Sequence, residues 1–232
     1  MAEMIKITST AADGFVFGAY HADAEGERKE GKRKGGVVVI QEIFGIDEYV
    51  RADVERWAKA GFEAIAPAMF DRTHPGLDVS HEGDGVTVAM AARQGADIDT
   101  AVADIAACVN RLKARGPVFV VGYCFGGAMA WQAAGRIEGI AAASSYYGGR
   151  MASMAGLTPK CPVICHFGRK DAHIPADEIK ATLNAAQPQV PVYIYEKSGH
   201  GFNNDGRPDS DPDDAALARQ RTLALFEANN AA

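Results

Sequence analysis

Val118-Phe119-Val120-Val121-Gly122-Tyr123-Cys124-Phe125-Gly126-Gly127 is the stretch from which the rest of the chain is read. Its first four residues are apolar and mostly β-branched, the composition of a buried strand. Ala128-Met129-Ala130-Trp131-Gln132-Ala133-Ala134 follows and reads as a helix. The order is therefore strand, tight turn, helix, with Cys124 at the apex. The turn has the form G-x-C-x-G, the nucleophile-elbow pattern with cysteine in the serine position. Gly122 and Gly126 are required because strand and helix pass too close for side chains there. Such a turn holds its nucleophile in a strained conformation and pushes it into a cleft. It also aims the Phe125 N–H at the place where an oxyanion would form. A buried structural cysteine beside a glycine turn is the alternative, since free cysteine is often buried. The surrounding sequence decides between them.

On the N-terminal side, Phe15 to Tyr20 reads as an early strand and Glu25 to Gly36 as a charged, solvated loop containing Lys32-Arg33-Lys34. Val37-Val38-Val39-Ile40 is a fully apolar strand. The helix after it carries Val50, Val54, Trp57 and Ala58 on one face, and Gly61 ends it. Phe62 to Pro67 is the next strand. Met69 to Gly95 is rich in glycine, histidine and acid and reads as a long irregular insert over the mouth of the sheet. Ile98 to Ala114 is an amphipathic helix leading into the elbow. Beyond the elbow, strands are expected at Ile140 onward, at Pro162–Gly168 and at Val190–Tyr195. Helices are expected at about 176–186 and 214–229. Alternating strands and helices without a linker predict one domain over residues 1–232, with a mostly parallel central sheet and helices on both faces. Ligands of such sheets sit at the carboxyl ends of the strands, where Cys124 lies.

The 232 residues are 47% hydrophobic and 23% charged, enough for a sizeable core. A net charge of −6 without a dense basic stripe argues against nucleic acid as a partner. Nothing approaches the continuous apolar run of a membrane span, nor a signal peptide at the start, so no membrane partner and a cytoplasmic location are expected. Four cysteines, Cys108, Cys124, Cys161 and Cys165, are too few for a disulfide scaffold. Cys161 and Cys165 flank a strand-like run followed by His166. No C-x-x-C pair or second cluster completes a metal site, so packing is their expected role and no metal is expected.

A thiol nucleophile needs a base, and the base an orienting acid, in the chain order nucleophile, acid, histidine. Asp171, in Gly168-Arg169-Lys170-Asp171, follows one apolar strand. His200, in Ser198-Gly199-His200-Gly201-Phe202, follows the next. Each has an ordinary reading alone, as a turn or loop residue. Three in order, each just beyond a strand, point to a Cys124–His200–Asp171 triad.

Together with Gln41-Glu42-Ile43-Phe44-Gly45 and Tyr146-Tyr147-Gly148, these stretches resemble the dienelactone hydrolase (carboxymethylenebutenolidase) family of the α/β-hydrolase fold. The matching segments span nearly the whole chain, and cysteine at the elbow makes the likeness more specific. The resemblance implies cofactor-independent hydrolysis of a small cyclic enol ester through an acyl-enzyme. It implies an oxyanion hole from the Phe125 and Ile43 N–H groups. It also makes Glu42 a switch that keeps the resting sulfur protonated until substrate arrives, as a neighbouring carboxylate disfavours a second negative charge. The substrate is expected to meet Phe44, Arg72, His81, Tyr147, Phe202 and Asn204.

The likeness strains at one point. Family members that act on dienelactone hold its carboxylate with two arginines. The matching positions here are Asn204 and a glycine-rich region around Gly85 and Val86, with Arg72, Arg93 or Arg207 as replacements. Asparagine does not replace a bidentate arginine. Two alternatives therefore stay open: a small-ester or thioester hydrolase with another substrate, and a ligand-binding or thiol redox-sensing protein without turnover. The expected partner is a small ester or lactone, and the expected assembly a monomer or small homo-oligomer.

Overall fold

Residues 2–26 and 33–230 are described by a computed structural model. Most of the charged loop expected after Glu25 lies outside them. Eight strands form one sheet in the order β1-β2-β4-β3-β5-β6-β7-β8. They are β1 (Ala2–Thr8), β2 (Val16–Ala22), β3 (Gly36–Ile40), β4 (Glu63–Pro67), β5 (Val118–Tyr123), β6 (Ile140–Tyr146), β7 (Val163–Gly168) and β8 (Val192–Tyr195). β1 and β2 are antiparallel; all pairs from β4 to β8 are parallel. β3, β4 and β5 are buried along their whole length. That is why their sequences are continuous apolar runs instead of alternating ones.

Six helices cover this sheet: α1 (Glu48–Lys59), α2 (Asp84–Gln94), α3 (Ile98–Lys113), α4 (Phe125–Arg136), α5 (Ala176–Ala186) and α6 (Pro212–Ala228). α1 and α6 share one face, joined by the Trp57 and Phe226 rings at 5.2 Å. α3 and α4 pack together on the other. The α1, α3 and α6 starts are capped by Asp47, Asp97 and Asp211, whose carboxylates accept first-turn N–H groups. The chain has the α/β-hydrolase fold expected of it, and no described helix is long and apolar enough to cross a membrane.

Two elements differ from expectation. Met69–Gly95 is not irregular throughout, since α2 occupies its second half. α2 starts at Gly83 without a side-chain cap and buries only Ala89 and Ala92, so it has neither a start signal nor an apolar stripe. β1 is an edge strand with a single buried residue, Ile7, and so lacks the apolar run that marks the inner strands.

Pairing aligns the ends that matter. Ile40 is opposite Gly122, Tyr123 opposite Tyr146, and Gly168 opposite Tyr195. The segments just beyond β3, β5, β6, β7 and β8 therefore open on one edge of the sheet, carrying Glu42, Cys124, Tyr147, Asp171 and His200.

Candidate active site

Cys124 sits between β5 and α4 with φ +54° and ψ −111°, a conformation that L-residues rarely adopt. The turn is enforced by contact. A Cβ on Gly122 would lie 1.9 Å from the Gly126 carbonyl oxygen, and one on Gly126 would lie 2.1 Å from that of Ile40. The Cys124 N–H donates to the Tyr146 carbonyl at 3.0 Å, which ties the apex to the neighbouring strand end. The side chain is half-buried. As the first residue of α4, Phe125 has no intrahelical acceptor for its N–H. Among the described residues, neither this group nor the Ile43 N–H donates elsewhere.

His200 Nδ1 lies 2.7 Å from Asp171 Oδ2. The other carboxylate oxygen, Oδ1, accepts the His173 and Ile174 N–H groups at 2.8 and 3.1 Å. Asp171 is thus fixed by its own loop and presents one oxygen to the imidazole, whose Nδ1 carries the proton in this arrangement. Burial pulls the His200 pKa down, but hydrogen bonds to Asp171 and to Cys124 overcome it and hold it at about 10. Of the three side chains expected from the sequence, His200 and Asp171 are hydrogen-bonded to each other, and Cys124 is near enough to act on the His200 pKa.

Glu42 is buried rather than a surface charge after a strand. Its Oε2 accepts from Asn204 Nδ2 at 3.2 Å and pairs with Arg207 at 3.4 Å. Oε1 has no protein partner. Burial pushes its carboxyl above the usual range, against the pull of the Arg207 and His200 cations. The Tyr147 hydroxyl is likewise buried without a protein partner, and its ring lies 5.1 Å from that of His200. Tyr147 itself has φ +36°.

The other residues expected to meet substrate have partners within the protein. Arg72 is held by Asp104 and Asp13 over the Phe15 ring, away from the sulfur. His81 bonds to Asp47 at 2.7 Å and stacks on Phe44 at 3.7 Å, so both rings are committed to fastening the segment ahead of α2. Phe202 is fully buried against Tyr146, Tyr147 and Tyr195. Asn204 is spent on Glu42. Of the replacement arginines, Arg207 reaches Glu42 and Arg93 lines the cleft onto which Cys124 opens. Arg150, also in that cleft, was not singled out from the sequence. Its position just past the end of β6, behind Gly148-Gly149, is the signal that would have found it.

A protein-family profile described as the dienelactone hydrolase family matches residues 17–229. The carboxymethylenebutenolidase of Pseudomonas putida is 30% identical over 228 residues, covering 94% of this chain and 93% of that one. Carboxymethylenebutenolidase 1 of Cupriavidus pinatubonensis is 31% identical over 201 residues, 82% of this chain and 84% of its own. Among solved structures, a Klebsiella pneumoniae protein assigned to the dienelactone hydrolases superposes with a TM-score of 0.80 at 26% identity. It covers 97% of this chain and 98% of that one.

Proposed function

This chain belongs to the dienelactone hydrolase family and is a carboxylic ester hydrolase resembling the carboxymethylenebutenolidases, and from that premise we propose that it hydrolyses small lactones or enol esters through a Cys124–His200–Asp171 triad. What supports this reading is the position of His200, which is held by Asp171 at 2.7 Å beyond the strand end next to the one that carries Asp171, with Cys124 near enough to raise its pKa.

His200 takes the Cys124 proton, and the sulfur attacks the ester carbonyl carbon. The carbonyl π electrons move to oxygen, where the Phe125 and Ile43 N–H groups receive the charge. Collapse of this intermediate breaks the carbon–oxygen bond and expels an enolate, a good leaving group, which takes up the proton held on the His200 imidazolium and leaves the imidazole neutral again. A thioester remains. His200, oriented by Asp171, then removes a proton from water. The hydroxide adds to the thioester, and the thiolate departs as the acid is released. Every step uses groups of the chain itself, so the proposed reaction is cofactor-independent. Glu42 is the proposed guard of the sulfur. Asn204 and Arg207 fix one carboxylate oxygen, and the other has no protein partner.

The test is steady-state hydrolysis of dienelactone beside a simple aryl acetate, by wild type and Cys124→Ala. A strong preference for dienelactone and a dead variant support the lactonase reading. Turnover of the aryl ester alone moves the substrate to another class of small ester, the alternative that Asn204 at the expected arginine position keeps open. Undiminished activity of Cys124→Ala on both substrates overturns the assignment.

A further inference from the structure

Cys124 opens onto a cleft of about 500 Å³ between the end of α2, the first turns of α4 and the loop after β6. This is the size of a pocket for a drug-sized ligand, well beyond the need of a small lactone. Its floor is apolar, with Ile98, Met129 and Met154 in a chain of 232 residues that exposes few large hydrophobics. Its lining contains two arginines, Arg93 and Arg150, and no carboxylate. Elsewhere around the site the cations are already matched: Arg72 to Asp13 and Asp104, Arg207 to Glu42. Arg93 and Arg150 make no ion pair among the described residues.

Arg150 adds an independent sign. It has φ +62°, the left-handed region, while Gly148 and Gly149 beside it do not need a positive φ. A long side chain kept at a strained position on the rim of a cleft points to a use there. The protein carries a net charge of −6, so a carboxylate-free wall with two unmatched guanidinium groups is a local reversal of its field that draws anions toward the sulfur.

We infer that the substrate is an elongated anionic ester, whose apolar segment lies along Ile98, Met129 and Met154 and whose distal carboxylate is held by Arg93 and Arg150. This rests on Cys124 as nucleophile and goes beyond it, because it fixes what lies at the far end of the cleft. The anchor comes from the end of α2 and the loop after β6, not from the Asn204 position.

The experiment compares matched pairs by pH-stat. The p-nitrophenyl half-ester of adipate is set against p-nitrophenyl hexanoate, with the charge on the acyl side. Acetylated ω-hydroxyhexanoate is set against hexyl acetate, with the charge on the alcohol side. Wild type is expected to favour the anionic member of at least one pair by about tenfold in kcat/KM. Arg93→Gln and Arg150→Gln are each expected to cut that ratio by about threefold, and the double variant by about tenfold, chiefly through KM. Arg111→Gln, on the exposed last turn of α3, removes the same charge outside the cleft and leaves the ratio as it was. No anionic preference in either pair overturns the inference. So does a preference that survives the double variant, or one that Arg111→Gln lowers equally. Cys124→Ala reports separately: if it turns over any of the four esters at the wild-type rate, the nucleophile reading fails, whatever the ratio shows.

Discussion

Replacing Gly126 by alanine tests the elbow with a single methyl group. The new Cβ would stand 2.1 Å from the Ile40 carbonyl oxygen and 2.6 Å from that of Gln41, where real Cβ atoms essentially never come within 3.0 Å. Both obstacles are backbone. Ile40 is locked in the parallel ladder opposite Gly122, so β3 cannot yield without breaking the centre of the sheet. The start of α4 must retreat instead, by about 1 Å, and it carries Cys124 and the Phe125 N–H with it. Overpacking of this kind costs about 3 kcal/mol. For a chain of this length that lowers Tm by about 6–12 °C. A displacement of about 1 Å in the reacting groups costs about a hundredfold in kcat. Gly156→Ala is the control: its Cβ meets nothing within 4 Å, and the position is exposed. Thermal melts and ester hydrolysis on the two variants check both parts. A Gly126→Ala protein that melts and turns over like Gly156→Ala would refute the contact geometry from which the elbow is argued.

Asp171→Asn keeps an oxygen for the His173 and Ile174 N–H groups but turns an amide donor toward His200 Nδ1. The imidazole is forced into the wrong tautomer, and kcat should fall by about a thousandfold or more; a loss under tenfold counts against the assignment. His200 is held at about 10 by bonds to Asp171 and Cys124. In Cys124→Ala its titration, followed by NMR of the imidazole, should move down toward the ordinary histidine range. The linked stability has a definite sign. A raised histidine pKa stabilises fully below the unfolded value of 6.5 and is lost as pH rises through about 10. Wild-type Tm should therefore fall more steeply over that window than that of Cys124→Ala, and parallel curves would contradict the contact. Arg207→Gln removes the largest charge that lowers the Glu42 carboxyl. The acid limb of the kcat/KM profile is expected to move to higher pH, and an unmoved limb would show that Glu42 does not govern it.

The residues that could be read in advance share one property: each follows a continuous apolar run that only a buried parallel strand explains. Cys124, Asp171 and His200 are reached that way, and in the structure His200 meets Asp171 at 2.7 Å at the same end of the sheet as Cys124. The failures have equally physical causes. α2 is a helix with a glycine before it and two small alanines beneath it, so neither capping nor periodicity announces it. Phe202 follows the histidine and looks available to substrate, yet it is fully buried among Tyr146, Tyr147 and Tyr195, all brought there from other strand ends. Arg207 reaches Glu42 by folding back over Gly201, where a Cβ would stand 2.6 Å from its guanidinium. Spacing in the sequence does not reveal such a return.

The buried polar atoms without a protein partner are gathered in one region. Among the described residues, three buried side-chain atoms lack a protein partner: Glu42 Oε1, His81 Nδ1 and the Tyr147 hydroxyl. They are not scattered. The Glu42 charge acts on Tyr147, and His81 acts on Glu42. Elsewhere buried polar groups are paired, as in the contacts of Thr222 with Ser144, Tyr146 and His166. The fold pairs its interior polar groups within the protein and gathers those without a protein partner around one carboxylate. That place lies near His200, and Arg207 is the cation that makes the buried carboxylate tolerable. Glu42 is therefore better understood as a carboxyl buried at a cost near His200, and held there by Asn204 and Arg207, than as a surface charge after a strand.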